Sequence, residues 1–299
     1  MQEPSYLKLH REGEIKKRIA KLKEIIKDCH LCPHNCKVNR LKGETGVCKS
    51  DSRLKVASYG PHFGEEAPLV GTKGSGTIFF SNCSLQCVYC QNHDISQKGH
   101  GQYLDPKEVA DIMLNLQKRG CHNINFVTPT HMVYGIIKAV DKAIEQGLRI
   151  PLVYNTGGYD SVKTLKLLDG IIDIYMPDIK YADNKLAKKY SNAPDYFNIV
   201  KKAVTEIHKQ VNDLEIVDGI AKKGLLARHL VLPENISGTE KIIDFIADNI
   251  SKNTYFNLMK QYYPSYKADK YTKLNQRVNN RKYQLLRSYA NQKGLRLDQ

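Results

Sequence analysis

Seven of the eight cysteines in this sequence fall into two tight groups, and one group has the C-x3-C-x2-C spacing of Cys83, Cys87 and Cys90. Three thiolates this close together can bind three irons of a cubane [4Fe–4S] cluster, which leaves the fourth iron open for a substrate or cofactor. The alternative is a zinc site completed by His93, because structural zinc takes four protein ligands. The position of the cysteines directly after a predicted strand favours the cluster.

The second group consists of Cys29, Cys32, Cys36 and Cys48. Four thiolates on a short loop suit structural zinc, and the C-x2-C-x3-C part is also a spacing that iron–sulfur clusters use. Unmetallated thiols are the third interpretation. Spacings this close favour a metal over disulfides in a cytosolic chain. Cys121 stands alone beside His122, and we expect a buried, unreactive thiol there.

Six apolar runs alternate with segments of helical periodicity, and continuous apolar runs are typical of parallel strands covered by helices. The predicted strands are 77–81, 123–128, 151–155, 172–176, 225–232 and 255–259. The predicted helices are 5–28, 105–119 with Asp105 as its N-cap, 131–146, 161–168, 184–190, 196–209, 239–250 and 275–292. Segment 54–76 reads as turns. The alternation predicts an α/β fold, either an open doubly wound sheet or a partial barrel.

Polar or glycine-rich residues follow four of the predicted strands. These clusters are 81–83, 128–131, 155–158 and 177–180. Functional residues of barrels concentrate at the C-terminal ends of the strands. We therefore expect the four clusters to share one rim with the cysteines.

The C-x3-C-x2-C motif after the first strand of a (βα) repeat resembles the radical S-adenosylmethionine superfamily. In that superfamily S-adenosylmethionine chelates the open iron through its amino and carboxylate groups. One electron from the reduced cluster then cleaves the sulfonium and releases a 5′-deoxyadenosyl radical, which abstracts hydrogen. The resemblance implies a partial (βα)6 TIM-type barrel, and it places Tyr89 beside the adenine.

Longer stretches are similar to pyruvate formate-lyase-activating-enzyme-like proteins. They are 62–66, 71–81 and 91–96, and the likeness runs from Cys29 to Asp298. It implies an activase that abstracts hydrogen from a glycine of a protein substrate, with an electron donor such as flavodoxin or ferredoxin. A radical enzyme that modifies RNA or a small metabolite, and a non-catalytic zinc nucleic-acid-binding module, are the alternatives.

The resemblance also implies contacts to S-adenosylmethionine from the second and third strands. Thr128 and Thr130 stand where the superfamily often has a Gly-Gly-Glu segment that binds the methionine amino group. No Glu is present here, and a plain helix cap is the alternative. Asn155 replaces the acid of an Asp-Thr-Asn-Gly segment near the ribose and a monovalent cation, so we expect a hydrogen bond to the ribose.

Further candidate residues follow from the later strands. Asp178 and Lys180 resemble the Asp-Leu-Lys segment of activases, and a plain ion pair is the alternative. Strand alternation sends only one of Arg228 and His229 into the barrel. The resemblance favours Arg228, as a partner for the methionine carboxylate.

The charge and hydropathy of the chain restrict its partners and location. Lys and Arg number 46 against 31 Asp and Glu, a net charge of +15. This surplus favours acidic partners, including nucleic acid, although the lysines are spread along the chain as on an ordinary lysine-rich surface. No apolar run reaches the ~20 residues of a membrane span. The charged N-terminus does not resemble a signal peptide, so we expect a cytoplasmic location and no membrane partner.

We expect three segments in the chain. Residues 1–53 form an N-terminal helix and a cysteine-rich metal-binding segment, 54–264 form the barrel, and 265–299 form a basic helical extension packed on it.

Overall fold

Nine strands form one sheet in the computed structural model, which describes residues 3–298. The strands are β1 Leu54–His62, β2 Ser75–Phe80, β3 Gln102–Leu104, β4 Ile124–Val127, β5 Leu152–Thr156, β6 Ile174–Pro177, β7 Glu215–Val217, β8 Ile220–Leu230 and β9 Tyr255–Met259. The sheet order is β3-β1-β2-β4-β5-β6-β8-β7, and β9 also pairs with β8. The order β2-β4-β5-β6-β8-β9 is parallel throughout. These six strands confirm the predicted partial (βα)6 barrel.

Helices follow the parallel strands along the chain. The α-helices are α1 Ser5–Arg11, α2 Glu14–Lys27, α3 Ala67–Val70, α4 His93–Ser96, α5 Pro106–Lys118, α6 Val133–Glu145, α7 Val162–Leu168, α8 Asn184–Ser191, α9 Tyr196–Val211, α10 Thr239–Phe245 and α11 Asn280–Gln292. Asp105 caps α5 in a capping box with Glu108, as the sequence predicts. None of the helices in residues 3–298 has the length and apolar character needed to cross a membrane.

Strand alternation separates two apolar clusters. One side of the parallel strands packs against the helices in the main core, with Phe126, Tyr154 and Leu225 fully or almost fully buried. The other side faces the barrel interior, where Val153, Ile174 and Leu226 pack around Leu69 of α3. The short helix α3 therefore fills part of the barrel, and the polar residues that share this side face the same interior.

The structure corrects four predicted elements. Segment 54–62, predicted as turns, is the antiparallel strand β1 between β3 and β2, whose Gly60 and Pro61 hide the strand pattern. The helix predicted over 5–28 is two helices, because Gly13 adopts a left-handed φ of 71°. β8 begins at Ile220, five residues before the predicted start, since an Asp218-Gly219 turn pairs it with β7. The helix predicted over 275–292 begins at Asn280.

The N-terminal helices pack on the outside of the barrel. Tyr6 donates to the Ile150 carbonyl at 2.8 Å, and His10 Nδ1 lies 3.0 Å from Asp141. Thr164 of α7 donates to the Leu31 carbonyl at 2.8 Å, which fixes the start of the first cysteine group. The three-segment division itself stays a prediction, and its end residues Met1, Gln2 and Gln299 lie outside the described chain.

Candidate active site

The loop that carries Cys83, Cys87 and Cys90 leaves the C-terminal end of β2. Each of the three sulfurs takes part in one hydrogen bond. Cys83 accepts from the backbone N–H of Leu85 at 3.3 Å, and Cys87 accepts from the Ser191 hydroxyl at 3.0 Å. Cys90 lies 3.1 Å from the Ser96 hydroxyl. None of the three cysteines forms a disulfide, so one loop presents three free sulfurs that could bind a soft metal.

Burial makes these thiols reluctant to ionise on their own. It raises the pKa of Cys83, and it raises the pKa of Cys87 to about 11. Thiolate, not thiol, binds iron, so a bound cluster would have to displace the protons. This donor set fits an iron–sulfur cluster better than a reactive nucleophilic cysteine, whose pKa would be lowered.

Backbone hydrogen bonds and a glycine hold the cysteine loop against the barrel. Gln86 N–H donates to Ser191 O, and Val88 N–H donates to Tyr190 O, both at 2.9 Å. A Cβ at Gly157 would lie 2.6 Å from Leu85 Cδ1. The glycine after β5 therefore lets the side chain of Leu85, in the cysteine loop, pack closely against it.

A group of charged side chains lies inside the barrel beside this loop. Arg228 Nε donates to Asp178 at 2.8 Å, and Arg228 Nη2 donates to Asn155 at 2.8 Å. Its other nitrogen, Nη1, lies 3.4 Å from Glu65 and 3.7 Å from Glu66. Lys180 Nζ lies 2.7 Å from the second oxygen of Asp178. We call these five charged residues, Glu65, Glu66, Asp178, Lys180 and Arg228, the interior charge cluster.

Asp178 and its two cationic partners, Arg228 and Lys180, hold one another in the ionised state. Burial alone would raise the pKa of Asp178, but Arg228 and Lys180 outweigh it and lower that pKa to about 2. The three carboxylates in turn keep the pKa of Arg228 above its usual value despite burial. Burial is the main cause that raises the pKa of Glu65. Both cations are already paired, and carboxylates outnumber them.

The structure places the other predicted site residues as follows. Arg228 points into the barrel, whereas His229 points away and lies 2.9 Å from the Thr239 hydroxyl. Asn155 also faces the barrel, against Arg228. Tyr89 is 6% exposed and packs edge-on against Tyr181 and Tyr262.

The two threonines after β4 have different surroundings. Thr130 donates to Asp160 at 2.8 Å and lies 3.0 Å from the Thr156 hydroxyl, so its hydroxyl belongs to a buried network. Thr128 has a left-handed φ of 60°, which is strained for a β-branched residue. Such strain persists only where the surroundings enforce it, and here the Thr128 N–H donates to Asn155 O at 2.9 Å.

Sequence reasoning missed two groups of this site. Glu65 and Glu66 lie in the stretch that carried the family resemblance, but nothing in their spacing indicated that they meet Arg228 from 162 or more positions away. Asp160, which organises Thr130, Thr156 and Tyr154, was also missed. The signal available in the sequence was an acidic residue placed two positions after a Gly-Gly turn.

The first cysteine group lies next to the loop of the second. Cys29, Cys32, Cys36 and Cys48 surround one small cavity, which His131 and Arg40 also line. Across residues 3–298, no three or more Cys, His, Asp or Glu side chains converge as ligands of a single metal ion. His93, the fourth ligand in the alternative zinc site of the second group, is stacked on Tyr266 with ring centroids 4.9 Å apart.

Comparison with known proteins agrees with this geometry. Residues 77–246 match the model of the Radical SAM superfamily. The uncharacterized protein MJ0674 of Methanocaldococcus jannaschii is 37% identical over 278 residues, which cover 89% of this chain and 74% of that protein. The uncharacterized protein MJ0808 of the same organism is 23% identical over 261 residues, covering 80% and 71%.

A solved structure extends the likeness to the fold. Streptococcus suis SuiB, bound to the precursor peptide SuiA, matches with a TM-score of 0.51 at 14% identity. The match covers 72% of this chain and 46% of SuiB, so this chain spans less than half of that protein. Membership implies a [4Fe–4S] cluster and S-adenosylmethionine as cofactors. On the family match and the 37% identical relative, the chain belongs to the radical S-adenosylmethionine superfamily.

Proposed function

We propose that Cys83, Cys87 and Cys90 bind the [4Fe–4S] cluster and that S-adenosylmethionine occupies the barrel between this loop and the interior charge cluster. The observation that carries the proposal is the position of three free, hydrogen-bonded sulfurs at the end of β2. When bound there, the cluster supplies one electron that cleaves the sulfonium into methionine and a 5′-deoxyadenosyl radical. Three protein ligands leave one iron for the methionine group.

The charges of the barrel interior support binding of S-adenosylmethionine. That molecule is a net cation, with a sulfonium and an ammonium against one carboxylate. Glu65, Glu66 and Asp178 outnumber Arg228 and Lys180, so the interior favours a cation. In this proposal Asn155 binds the ribose, and Tyr89 and Thr128 line the cofactor site. The guanidinium of Arg228 is already paired with Asp178, Asn155 and Glu65, so we assign Arg228 to positioning Asn155 rather than to the methionine carboxylate that the resemblance suggests.

The hydroxyl of Thr130 does not fit the direct contact that the sequence suggests. It already donates to Asp160 and lies against Thr156. We therefore assign Thr130 to positioning the loop after β4, through Asp160, rather than to contact with the cofactor.

We further propose that the radical abstracts hydrogen from a glycine of a protein substrate. Both cations of the interior charge cluster are paired, so they offer no free positive charge to a phosphate. A peptide backbone at glycine is uncharged and has no side chain to exclude. RNA and phosphorylated metabolites fit this interior less well, although the net charge of +15 suits RNA on the outer surface. Superfamily membership does not support a non-catalytic zinc module.

The radical step is tested by anaerobic incubation of the reconstituted protein with dithionite and S-adenosylmethionine. We expect 5′-deoxyadenosine from the wild type and from Cys121→Ala, which removes a buried cysteine outside both groups. The variant with Cys83, Cys87 and Cys90 all replaced by Ala should form none. A fully reconstituted wild type that forms no 5′-deoxyadenosine would refute the assignment.

The substrate class is tested by isotope transfer. Protein from cells of the source organism grown on glycine deuterated at Cα, and RNA from cells grown in D2O, are supplied separately to the reduced enzyme. Deuterium in 5′-deoxyadenosine from the protein fraction alone supports a glycine substrate. Deuterium from the RNA fraction alone would establish RNA modification instead.

A further inference from the structure

The four cysteines of the first group line one small cavity, and the backbone around them packs closely. Cys29 and Cys48 are 7% and 8% exposed. A Cβ at Gly46 would lie 2.6 Å from the sulfur of Cys36, so only glycine permits this approach. We call the segment from Cys29 to Ser50 the knuckle.

The knuckle adopts strained backbone conformations outside its one short 3-10 helix, Arg40–Lys42. Asn35, Lys37 and Lys49 have left-handed φ angles of 48°, 58° and 55°. Such conformations cost about 1–3 kcal/mol each and persist where surrounding contacts fix them. A bound group that ties four points of the knuckle together would provide that constraint.

A hydrogen-bond donor at the cavity is directed at one of the sulfurs. The N–H of Val47 lies 3.5 Å from Cys36 Sγ. A backbone N–H is directed at a sulfur in the second group as well, from Leu85 to Cys83. His131 also lines this cavity. Its Nε2 donates to the Ser81 carbonyl at 2.8 Å, which leaves the buried Nδ1 as an acceptor without a partner in the described chain. A backbone donor at a sulfur stabilises the thiolate, the metal-binding form.

We propose that Cys29, Cys32, Cys36 and Cys48 bind a second, fully cysteine-ligated [4Fe–4S] cluster. Zinc would require all four sulfurs about 2.3 Å from one point, whereas the four cysteines here line a cavity that lies between them. A cubane spreads its four cysteines over separate irons, so the sulfurs can stand farther apart around a common cavity. Four protein ligands leave no open iron, which makes this cluster structural rather than a site for S-adenosylmethionine.

Contacts between the knuckle and the catalytic loop indicate what the second cluster does. His34 Nε2 donates to the Ser84 carbonyl at 2.7 Å, and Gln86 donates to the Val47 carbonyl at 3.2 Å. Asn82 donates to the Lys49 carbonyl and the Ser50 hydroxyl at 3.2 and 3.0 Å. Each contact joins a neighbour of a knuckle cysteine to a neighbour of Cys83 or Cys87. The second cluster therefore positions the catalytic loop.

Metal content of the reconstituted wild type tests the proposal without relying on activity. We expect about eight irons and eight sulfides per chain and no stoichiometric zinc. The triple Ala variant of Cys83, Cys87 and Cys90 should keep about four irons, and Cys121→Ala should keep about eight. Four irons with one zinc, or four irons with four additional thiols that react with a thiol reagent after unfolding, would overturn the second cluster. Because the wild type alone decides this, misfolding of a variant cannot obscure the result, and loss of 5′-deoxyadenosine formation is a separate outcome.

A separate observation carries a second inference, about the electron donor. A pocket of about 460 Å³ lies outside the barrel, over the catalytic loop. Four lysines line it, together with Gln86 and Val88 of that loop, and its lining in the described chain includes no Asp or Glu. The lysines are Lys49, Lys188, Lys189 and Lys267. The Lys267 N–H donates to the Val88 carbonyl at 2.9 Å, so this surface contacts the loop between Cys87 and Cys90.

We infer that an acidic one-electron carrier protein docks on this lysine pocket. This inference rests on the proposed radical function, which requires one electron per cleavage. Opposite charge steers such an encounter, and the pocket covers the loop that carries the cluster ligands. Flavodoxin is the carrier to be used as the probe.

The test compares two reductants on one variant, Lys188→Glu/Lys189→Glu/Lys267→Glu. With reduced flavodoxin we expect its rate of 5′-deoxyadenosine formation to fall at least tenfold at low salt. With dithionite and methyl viologen the rate should stay within twofold of wild type. The matched control Lys21→Glu/Lys23→Glu/Lys118→Glu changes the same charge at exposed positions outside the pocket and should behave like wild type.

Two outcomes would overturn the docking surface. An unchanged flavodoxin-driven rate would exclude the docking surface. If the same variant had also lost binding of a fluorescent RNA 20-mer, the pocket would be assigned to nucleic acid instead. An equal loss with both reductants would show that the lysines act on the catalytic loop itself rather than on the carrier. Failure of the wild type with dithionite would instead count against the radical function.

Discussion

The two cysteine groups lie side by side but differ in ligand number and in what surrounds them. The group at Cys83, Cys87 and Cys90 has three cysteines at a strand end, beside an interior lined with paired charges. The knuckle has four cysteines around a closed cavity, away from those charges. Three cysteine ligands leave one iron of a [4Fe–4S] cluster open for chemistry, whereas four cysteine ligands occupy all four irons. Ligand number thus separates the proposed catalytic centre from the proposed structural one.

Removal of one catalytic ligand should have the largest effect. We expect Cys87→Ala to reduce 5′-deoxyadenosine formation by at least about 1000-fold, because a cluster held by two cysteines is lost. The knuckle should keep about four irons. Anaerobic product analysis and iron determination measure both values. If Cys87→Ala lost all iron, the two groups would not be independent sites.

Removal of one knuckle ligand should have a smaller effect of a different kind. Cys36→Ala should lose about four irons and lower the rate by about 10–100-fold, the range found when a residue that supports a metal site is removed. The catalytic cluster should still form because its own ligands remain. The iron count and the electron paramagnetic resonance spectrum of the reduced protein separate the two clusters. An unchanged iron content would contradict the knuckle cluster.

The interior charge cluster can be tested through pH. The pKa of Asp178 is lowered from 3.8 to about 2, so its stabilising effect is complete above about pH 4 and is lost as the pH falls towards 2. Asp178→Asn should cost about 2 kcal/mol of unfolding free energy at both pH 7 and pH 5. Urea unfolding at the two pH values measures this cost. A cost that disappeared already at pH 5 would mean that Asp178 is not held ionised by Arg228 and Lys180.

Crowding at the catalytic loop should lower the rate of 5′-deoxyadenosine formation through the group at Cys83, Cys87 and Cys90, without affecting the knuckle. In Gly157→Ala the new Cβ would lie 2.6 Å from Leu85 Cδ1, the far end of a flexible side chain, so the loop must shift slightly. We expect a rate about 3–10-fold lower, by analogy with small displacements of catalytic groups. Gly60→Ala is the control, because nothing lies within 4 Å of its Cβ position. Equal effects of the two variants would place Gly157 outside the site.

The smallest expected effect comes from one contact between the groups. His34→Ala removes the 2.7 Å hydrogen bond to the Ser84 carbonyl, which is worth about 1 kcal/mol and so about fivefold in rate. Iron content should not change. His30→Ala is the control, since His30 bonds only its neighbour Asp28. A loss of knuckle iron in His34→Ala would make His34 part of the metal site rather than a connection between the loops.

The sequence by itself determined the chemistry-bearing cysteines, the six parallel strands and most of their helices. Local patterns carry this information: a chelating spacing is short, and continuous apolar runs follow from burial on both faces of a strand. The capped start of α5 at Asp105 is another local feature, and it was predicted correctly. β1 was missed because Gly60 and Pro61 resemble a turn, and only pairing with β2 makes that segment a strand.

Only the tertiary structure decided which charges meet. Arg228 contacts Asp178, Asn155 and Glu65, residues separated from it by 50, 73 and 163 positions. The knuckle likewise meets the catalytic loop across 50 positions, from His34 to Ser84. No local pattern encodes such contacts, because they depend on how strands and loops pack around one interior. The cysteine spacing therefore indicated the kind of cofactor. The packing decided which charges surround the cofactor site and which contacts support the cysteine loop.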